Sequence, residues 1–358
     1  MRDSTQSRSQ SPSVEEEHSS LLSTSGSKLE SHGKLLSHLK QSFSSLKRFL
    51  RISWLLTASD VLTFIGPNTT FGLCGALSAP WMMASGSGND GEEVSVLRVL
   101  SRLGLVILFS WSNLVIFDLS NQRLPESAAE DALNKPSRPV PSGLVTCDQI
   151  RRAMLYLIPM VVALNHFVLG VGVESLALVV LTWLYNDLHG GDESYITRNA
   201  MLAAAFGAYN TGSVKVAVGT DAMRNTWLLA GFSHRGVMWA AMVSAVIFTT
   251  MQIQDFKDIE GDRARGRRTA PIVMGDRPAR WSFAIPVLVW SVAGAWIWDA
   301  SLVLATPEVA LGTFIAFRCL QYSGLQADML TWKLWCLWTA MLYMLPPLSY
   351  HLSAHVKA

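Results

Sequence analysis

Between residues 54 and 350 the chain is cut into about nine apolar stretches of roughly twenty residues, the length an α-helix needs to cross about 30 Å of hydrocarbon. They lie near 54–76, 97–118, 150–171, 173–188, 196–217, 235–254, 281–299, 305–322 and 330–350. A segment in lipid must satisfy its own backbone hydrogen bonds, and a helix does so within itself. The expected fold is therefore all-α: a polytopic membrane bundle of about nine transmembrane helices, with a cytoplasmic cap of short loop helices. Composition excludes the bland alternative, a soluble protein with an oversized core. Half the residues are hydrophobic and 16% are charged, where soluble domains carry nearer a quarter.

Residues 1–50 read differently. They are rich in Ser, Lys and Glu, with "QSRSQSPSVEEEHSSLLSTSGS" the clearest low-complexity stretch, a composition that buries too little apolar surface to order itself. We expect a disordered cytoplasmic tail over 1–50, ending in a basic interfacial helix, and a membrane catalytic domain over 51–358. The chain lacks the apolar h-region of a signal peptide. Cys74, Cys147, Cys319 and Cys336 show neither CxxC spacing nor a partner histidine pattern, so no zinc site or disulfide framework is expected.

Loop charge sets orientation. The loops after spans two, four, six and eight hold Arg123, Lys135, Arg138, Arg198, Lys257, Arg263, Arg265, Arg267, Arg268 and Arg277, while the other face has scattered bases such as Lys215 and Arg224. Excess Lys and Arg marks the cytoplasmic side. The expectation is a multi-pass integral membrane protein of the endoplasmic reticulum, its two long charged loops facing the cytoplasm. No feature points to a nucleic-acid partner.

Those two loops carry the chemistry. In "QDFKDIEGDRARGRRTAPIVMG" (254–275) Asp255, Asp258 and Asp262 are spaced by three and four, so on a helix they share one side. In "FDLSNQRLPESAAEDALNKPSRPVPSG" Gln122, Glu126 and Glu130 recur every four residues, with Asn121 and Asp131 beside them, and Pro125 fits the first turn of a short helix. Clustered carboxylates repel unless a cation lies among them, and hard oxygen ligands suit Mg²⁺. The candidate metal ligands are Asn121, Glu126, Glu130, Asp131, Asp255, Asp258 and Asp262; among them Glu126, Glu130, Asp258 and Asp262 are the candidate catalytic residues. The bases Lys135, Arg138, Lys257, Arg263 and Arg268 suit the oxygens of a diphosphate, as does the neighbouring Arg267. Two such clusters over bound Mg²⁺ would grip a diphosphate while a lipid-like chain hangs among the helices. There Trp, Tyr, Phe and Met shelter a carbocation from water; Phe117, Tyr185, Tyr209 and Phe248 are the candidate aromatics.

Bland readings compete at each point. A single Asp-x-x-x-Asp pair at a helix end is usually a solvated cap, and the bases satisfy the positive-inside rule. "LYNDLHGGDESYITRN" reads first as a polar turn made by Gly190 and Gly191. Two acidic clusters on one face, each followed by bases, weigh against the bland account.

Those motifs resemble the UbiA superfamily of intramembrane prenyltransferases. "DIEGDRARGRRTAPIVMG" is similar to its second acidic motif, matching at Asp258 and Asp262, and "EDALNKPSRPVPSG" to the end of its first, at Asp131, Asn134, Pro136, Arg138 and Pro139. The front of the first motif departs: Asn121, Gln122, Glu126, Glu130 and Asp131 stand where the superfamily usually has Asn-Asp-x-x-Asp-x-x-x-Asp. That departure resembles a fungal branch of membrane-bound terpene cyclases. The resemblance implies a nine-helix fold and ionisation of farnesyl diphosphate, followed by ring closure to a sesquiterpene and release of diphosphate.

Three functions are thus in play. The first is a Mg²⁺-dependent terpene cyclase of secondary metabolism. The second is a prenyltransferase passing the same cation to an aromatic or polyketide acceptor. A transporter is the third, disfavoured because ionisable residues on transport paths sit near the midplane, whereas these clusters sit at helix ends.

Overall fold

A computed structural model of the chain describes residues 44, 45, 47–84 and 95–357. Contacts divide the chain into two units, Met1–Trp54 and Leu55–Ala358. In the first, residues 47–54 are helical (α1); most of the expected tail lies outside the described residues.

Among the described residues the second unit is built of helices and the turns between them, apart from one isolated bridge between Met83 and Phe232. Its helices are α2 (Ile65–Leu77), α3 (Ala79–Met82), α4 (Val96–Ser101), α5 (Leu103–Gln122), α6 (Pro125–Asn134), α7 (Cys147–Ala163), α8 (Gly172–Asn186), α9 (Gly190–Glu193), α10 (Tyr195–Val218), α11 (His234–Thr250), α12 (Asp255–Arg265), α13 (Ala270–Met274), α14 (Asp276–Ile297), α15 (Leu302–Gln321) and α16 (Leu325–Lys357). Among the described residues five helical stretches are long and apolar enough to cross a bilayer: Val96–Gln122, Cys147–Leu169, His234–Arg265, Asp276–Ile297 and Leu302–Gln321. Three other expected spans fall on helices that are short or polar at mid-length, and the span expected at 330–350 falls on the 33-residue α16. α2 has 13 residues and α8 has 15, while α10 carries "AYNTGS" at its middle.

Local signals explain the boundaries. Thr146 opens α7 with a capping box, its hydroxyl accepting from Gln149 N–H at 3.2 Å while the Gln149 side chain accepts from Thr146 N–H at 3.0 Å. Ser194 and Ser233 accept from backbone N–H groups at the starts of α10 and α11. α11 runs through the tight turn Met251–Gln254 straight into α12. The second acidic motif is therefore the polar continuation of an apolar helix.

α2 packs against α5, α10 and α16. Its approach to α10 needs glycine: a Cβ at Gly72 would stand 2.7 Å from the Cβ of Ser213. Small residues let helices close in a membrane, where apolar burial alone does not drive them together. On the outside, Leu155, Met160, Val292 and Trp296 are each at least 60% exposed, as expected of side chains that meet lipid rather than water.

Candidate active site

The two acidic loops meet at one end of the bundle. α6 lies across the start of α12, and Asn134 joins them: its side-chain amide donates to the carbonyl of Asp258 at 3.0 Å and accepts from the N–H of Gly261 at 3.1 Å. Ser127, Glu130, Asp131 and Asn134 form the inner face of α6, at intervals of three and four. Glu126 falls on its exposed side. The four-residue spacing from Gln122 breaks at Pro125, where the new helix starts.

Carboxylates of both loops share a cation of the chain's own. One terminal nitrogen of Arg267 lies 2.9 Å from Glu130 and 3.3 Å from Asp262. The guanidinium of Arg265 reaches Glu130 at 3.1 Å, Asn121 at 3.5 Å and Asp192 at 3.0 Å, and Arg267 also donates to Asp192 at 2.9 Å. Among the described residues no three His, Cys, Asp or Glu side chains converge closely enough to hold an ion; guanidinium groups lie between them. Burial opposes the charge of Asp192, but Arg267 and Arg265 hold its carboxyl below the usual range.

The sequence points to Arg263, Arg267 and Arg268 as phosphate ligands and not to Arg265; Arg263 and Arg268 are exposed, and Arg267 turns inward. The reason is the end of α12. Gly266 closes the helix in the left-handed region at φ 81°. The chain then folds back so that Arg267 N–H donates to the carbonyl of Asp262 at 2.9 Å, which brings the Arg267 side chain inward.

Other expected residues divide between this cage and its supports. Asp258 accepts from Lys257 at 2.6 Å, and the Lys257 ammonium lies 5.2 Å from the Trp332 ring centre. Asp255 is fully buried and paired with Arg198, whose Nε donates to the Tyr185 hydroxyl at 3.0 Å. Arg138 is 2% exposed, forked onto Asp131 at 3.0 and 3.1 Å, paired with Asp60 and 3.4 Å from Asp118. Burial pushes the carboxyl of Asp131 up despite that pairing. Lys135 lies 3.9 Å from Asp60. Arg138 and Asp131 thus form a nut tying the segment before α2, the end of α5 and α6, a role that needed Asp60 and Asp118 to be seen.

The "GGD" stretch also enters the site. A Cβ at Gly191 would stand 2.6 Å from the Tyr185 ring, so the glycine lets α9 lie on that ring and present Asp192. In sequence the two glycines before an acid read first as a polar turn, with a supporting role beside the diphosphate as the weaker alternative.

Beneath Tyr185 an apolar cavity of about 20 Å³ is lined by Phe64, Phe117, Tyr185, Tyr209, Leu178 and Met201, among others. Phe117 meets Tyr185 edge-on at 5.4 Å, and Phe64 lies 5.9 Å from Tyr209. Phe248 is 39% exposed and stands apart. A prenyl chain would enter such a space only as these side chains move.

Hard oxygen donors fit a divalent cation here: the second carboxylate oxygens of Asp255 and Asp262 are buried without a hydrogen-bond partner.

Comparison with known proteins adds the following. The model of the UbiA prenyltransferase family matches residues 72–337. The chain is 26% identical to fumagillin beta-trans-bergamotene synthase of Aspergillus fumigatus, over 59% of this chain and 68% of that protein. It is 29% identical to somaliensene A/B synthase of Streptomyces somaliensis over 80% and 89% of the two chains. It is 26% identical to polyprenyl transferase eriF of Hericium erinaceus over 73% and 86%. A solved UbiA homolog from Archaeoglobus fulgidus, bound to GPP and Mg²⁺, superposes with a TM-score of 0.54 at 14% identity, over 82% of this chain and 99% of the homolog.

Proposed function

The chain belongs to the UbiA prenyltransferase family, and from that premise we propose that it is a Mg²⁺-dependent intramembrane terpene cyclase acting on a prenyl diphosphate, farnesyl diphosphate first. The observation that carries the reading is the single Arg267 nitrogen lying between Glu130 and Asp262. Carboxylates from two loops are held around one position fit for a cation, directly above an aromatic cavity.

Asp258, Asp262 and Glu130 are the residues that would hold Mg²⁺, with Asp255 behind them. When bound, the ion supplies positive charge to the leaving diphosphate. Arg265 and Arg267 turn from carboxylate partners into phosphate partners, since a guanidinium fork matches either anion. The carbon–oxygen bond breaks heterolytically; both electrons leave with diphosphate, and the allylic cation stays in the cavity. The faces of Phe64, Phe117, Tyr185 and Tyr209 stabilise it while a distant double bond of the same chain attacks, forming the ring. Loss of one proton to the departed diphosphate gives a neutral sesquiterpene. Two relatives are synthases by name and a third, from Hericium erinaceus, is named a diterpene cyclase, which supports cyclisation.

The transferase reading draws on the family description and on the likeness to a polyprenyl transferase. An acceptor-free assay separates the two. Membranes holding the protein, given farnesyl diphosphate and Mg²⁺, should release a volatile hydrocarbon. Turnover that begins only when an aromatic acceptor is added would establish the transferase. We place the site end of the bundle on the cytoplasmic face of the endoplasmic reticulum, a topology that cysteine labelling in sealed microsomes tests.

A further inference from the structure

The far end of the bundle gathers cations that the positive-inside pattern does not require. Arg102 at the start of α5, Lys215 near the end of α10 and Arg224 in the turn that follows line one cleft, together with Gly170, Gly219 and Met223. Lys215 is neutralised by the buried carboxylate of Glu174, 2.6 Å away. Neither arginine has an acidic partner among the described residues, and the charged neighbours acting on Arg102 are Arg98 and Arg224, both cations.

Each guanidinium uses part of its donor set on helix ends. Arg102 Nε donates to the carbonyl of Val216 at 2.5 Å. The terminal nitrogens of Arg224 donate to the carbonyls of Phe167 at 2.9 Å and Val168 at 3.3 Å. An arginine carries five N–H donors, and both terminal nitrogens of Arg102 have no protein acceptor among the described residues. Capping alone accounts for one bond from Arg102 and leaves the outer fork available. Glycine makes the approach possible: Gly170 and Gly219 have φ of 73° and 66°, and a Cβ on either would run into Arg224 or Arg102 respectively.

The rim of the cleft is apolar and outward-facing. Phe167 and Val168, whose carbonyls hold Arg224, are 74% and 60% exposed; Leu97, beside Arg98, is 79% exposed, and Trp227, whose carbonyl holds Lys215, is 82% exposed. Large apolar side chains exposed at the end of a membrane bundle sit against lipid, with aromatic residues at headgroup depth. Cations recessed behind such a rim match an amphiphile with an anionic head, since a guanidinium fork matches the oxygens of a phosphate.

We propose that Arg102 and Arg224 bind the headgroup phosphate of an anionic bilayer phospholipid, on the face opposite the carboxylate cage, with its acyl chains lying along Phe167, Val168 and Leu97. The site joins the turn Leu164–Leu169 after α7 and the end of α10 to the start of α5, so the lipid would act as a clamp on the far end of the bundle. Arg–phosphate recognition of this kind is charge-assisted and forked.

The test uses the purified full chain, delipidated in neutral detergent. Phosphatidylglycerol should raise its melting temperature by several degrees more than phosphatidylcholine, and the Arg102→Gln/Arg224→Gln double variant should lose that difference while retaining diphosphate release. An unchanged difference in the double variant, or none in the wild type, overturns the proposal. An equal rise with inorganic phosphate assigns the cleft to free anion and overturns the lipid. Should the double variant fail to fold, a photoreactive phosphatidylglycerol on the wild-type chain decides: adducts within 167–170 and 219–227 support the site, and adducts elsewhere refute it.

Discussion

Asn134 and Gly261 hold each other across the two acidic loops, the Asn134 side-chain oxygen accepting from the Gly261 N–H at 3.1 Å while its nitrogen donates to the neighbouring Asp258 carbonyl at 3.0 Å. One amide therefore sets how far α6 stands from α12, and with it the spacing of Glu130 from Asp262. Replacing Asn134 with Ala should cost stability only about 1–2 kcal/mol, yet lower kcat/KM about a hundredfold, the scale of an ångström of misplacement. Steady-state kinetics beside a denaturant midpoint check both numbers; equal, small losses in each would reduce Asn134 to a local cap.

Asp262→Asn and Glu130→Gln should each lower diphosphate release by about a hundredfold or more, the scale seen when one fixed-charge contact to a transition state is lost. Glu126→Gln, on the exposed side of α6, should stay near wild type. If Glu126→Gln proved as damaging as Glu130→Gln, the inner face of α6 would be misassigned.

Chelation offers a separate check. EDTA should silence turnover, and excess Mg²⁺ should restore it, while the melting temperature moves little because Arg265 and Arg267 already bridge the carboxylates. Turnover undisturbed by EDTA would remove the divalent ion from the scheme.

Arg138 should behave as structure rather than as a phosphate ligand. It is 2% exposed among Asp60, Asp118 and Asp131, so Arg138→Ala leaves buried acids uncompensated. The expected cost is about 3–5 kcal/mol, read as a lowered unfolding midpoint and poor recovery from membranes. A stable, well-inserted Arg138→Ala protein with raised KM would return it to the substrate site.

Asp192 gives the acid limb of stability its sign. Its carboxyl is held below the ordinary value by Arg267 and Arg265 against the cost of burial. Its contribution is complete above the unfolded pKa, about 4, and fades as pH falls through the lower folded value. Between pH 5 and pH 3 the wild type should lose more melting temperature than Asp192→Asn. Parallel curves for the two proteins would show that the pairing adds nothing.

Much of the bundle was readable in advance because apolar length and helix-start chemistry are local. Pro125 opens α6 as its position suggests, and Asp258 and Asp262 lie on the helix that continues α11. Facing was not readable. Glu126 and Glu130 are equally acidic and equally spaced in sequence, and what separates them is the partner helix that α6 lies on. Arg138 looks like any loop base until Asp60 and Asp118 arrive from remote parts of the chain. The pair Gly190–Gly191 carries no mark distinguishing a turn from a seat on Tyr185.

The left-handed Gly266 leaves a practical lesson for comparing relatives. A run of bases on either side of such a reversal is a combination lock, in which the number of residues up to the fold-back selects the tumbler that drops inward. Moving the glycine by one position would leave the same letters in the loop yet deliver a different one to the cage. Alignment columns that pair arginine with arginine here are poor guides; distance from the chain reversal is the coordinate to match.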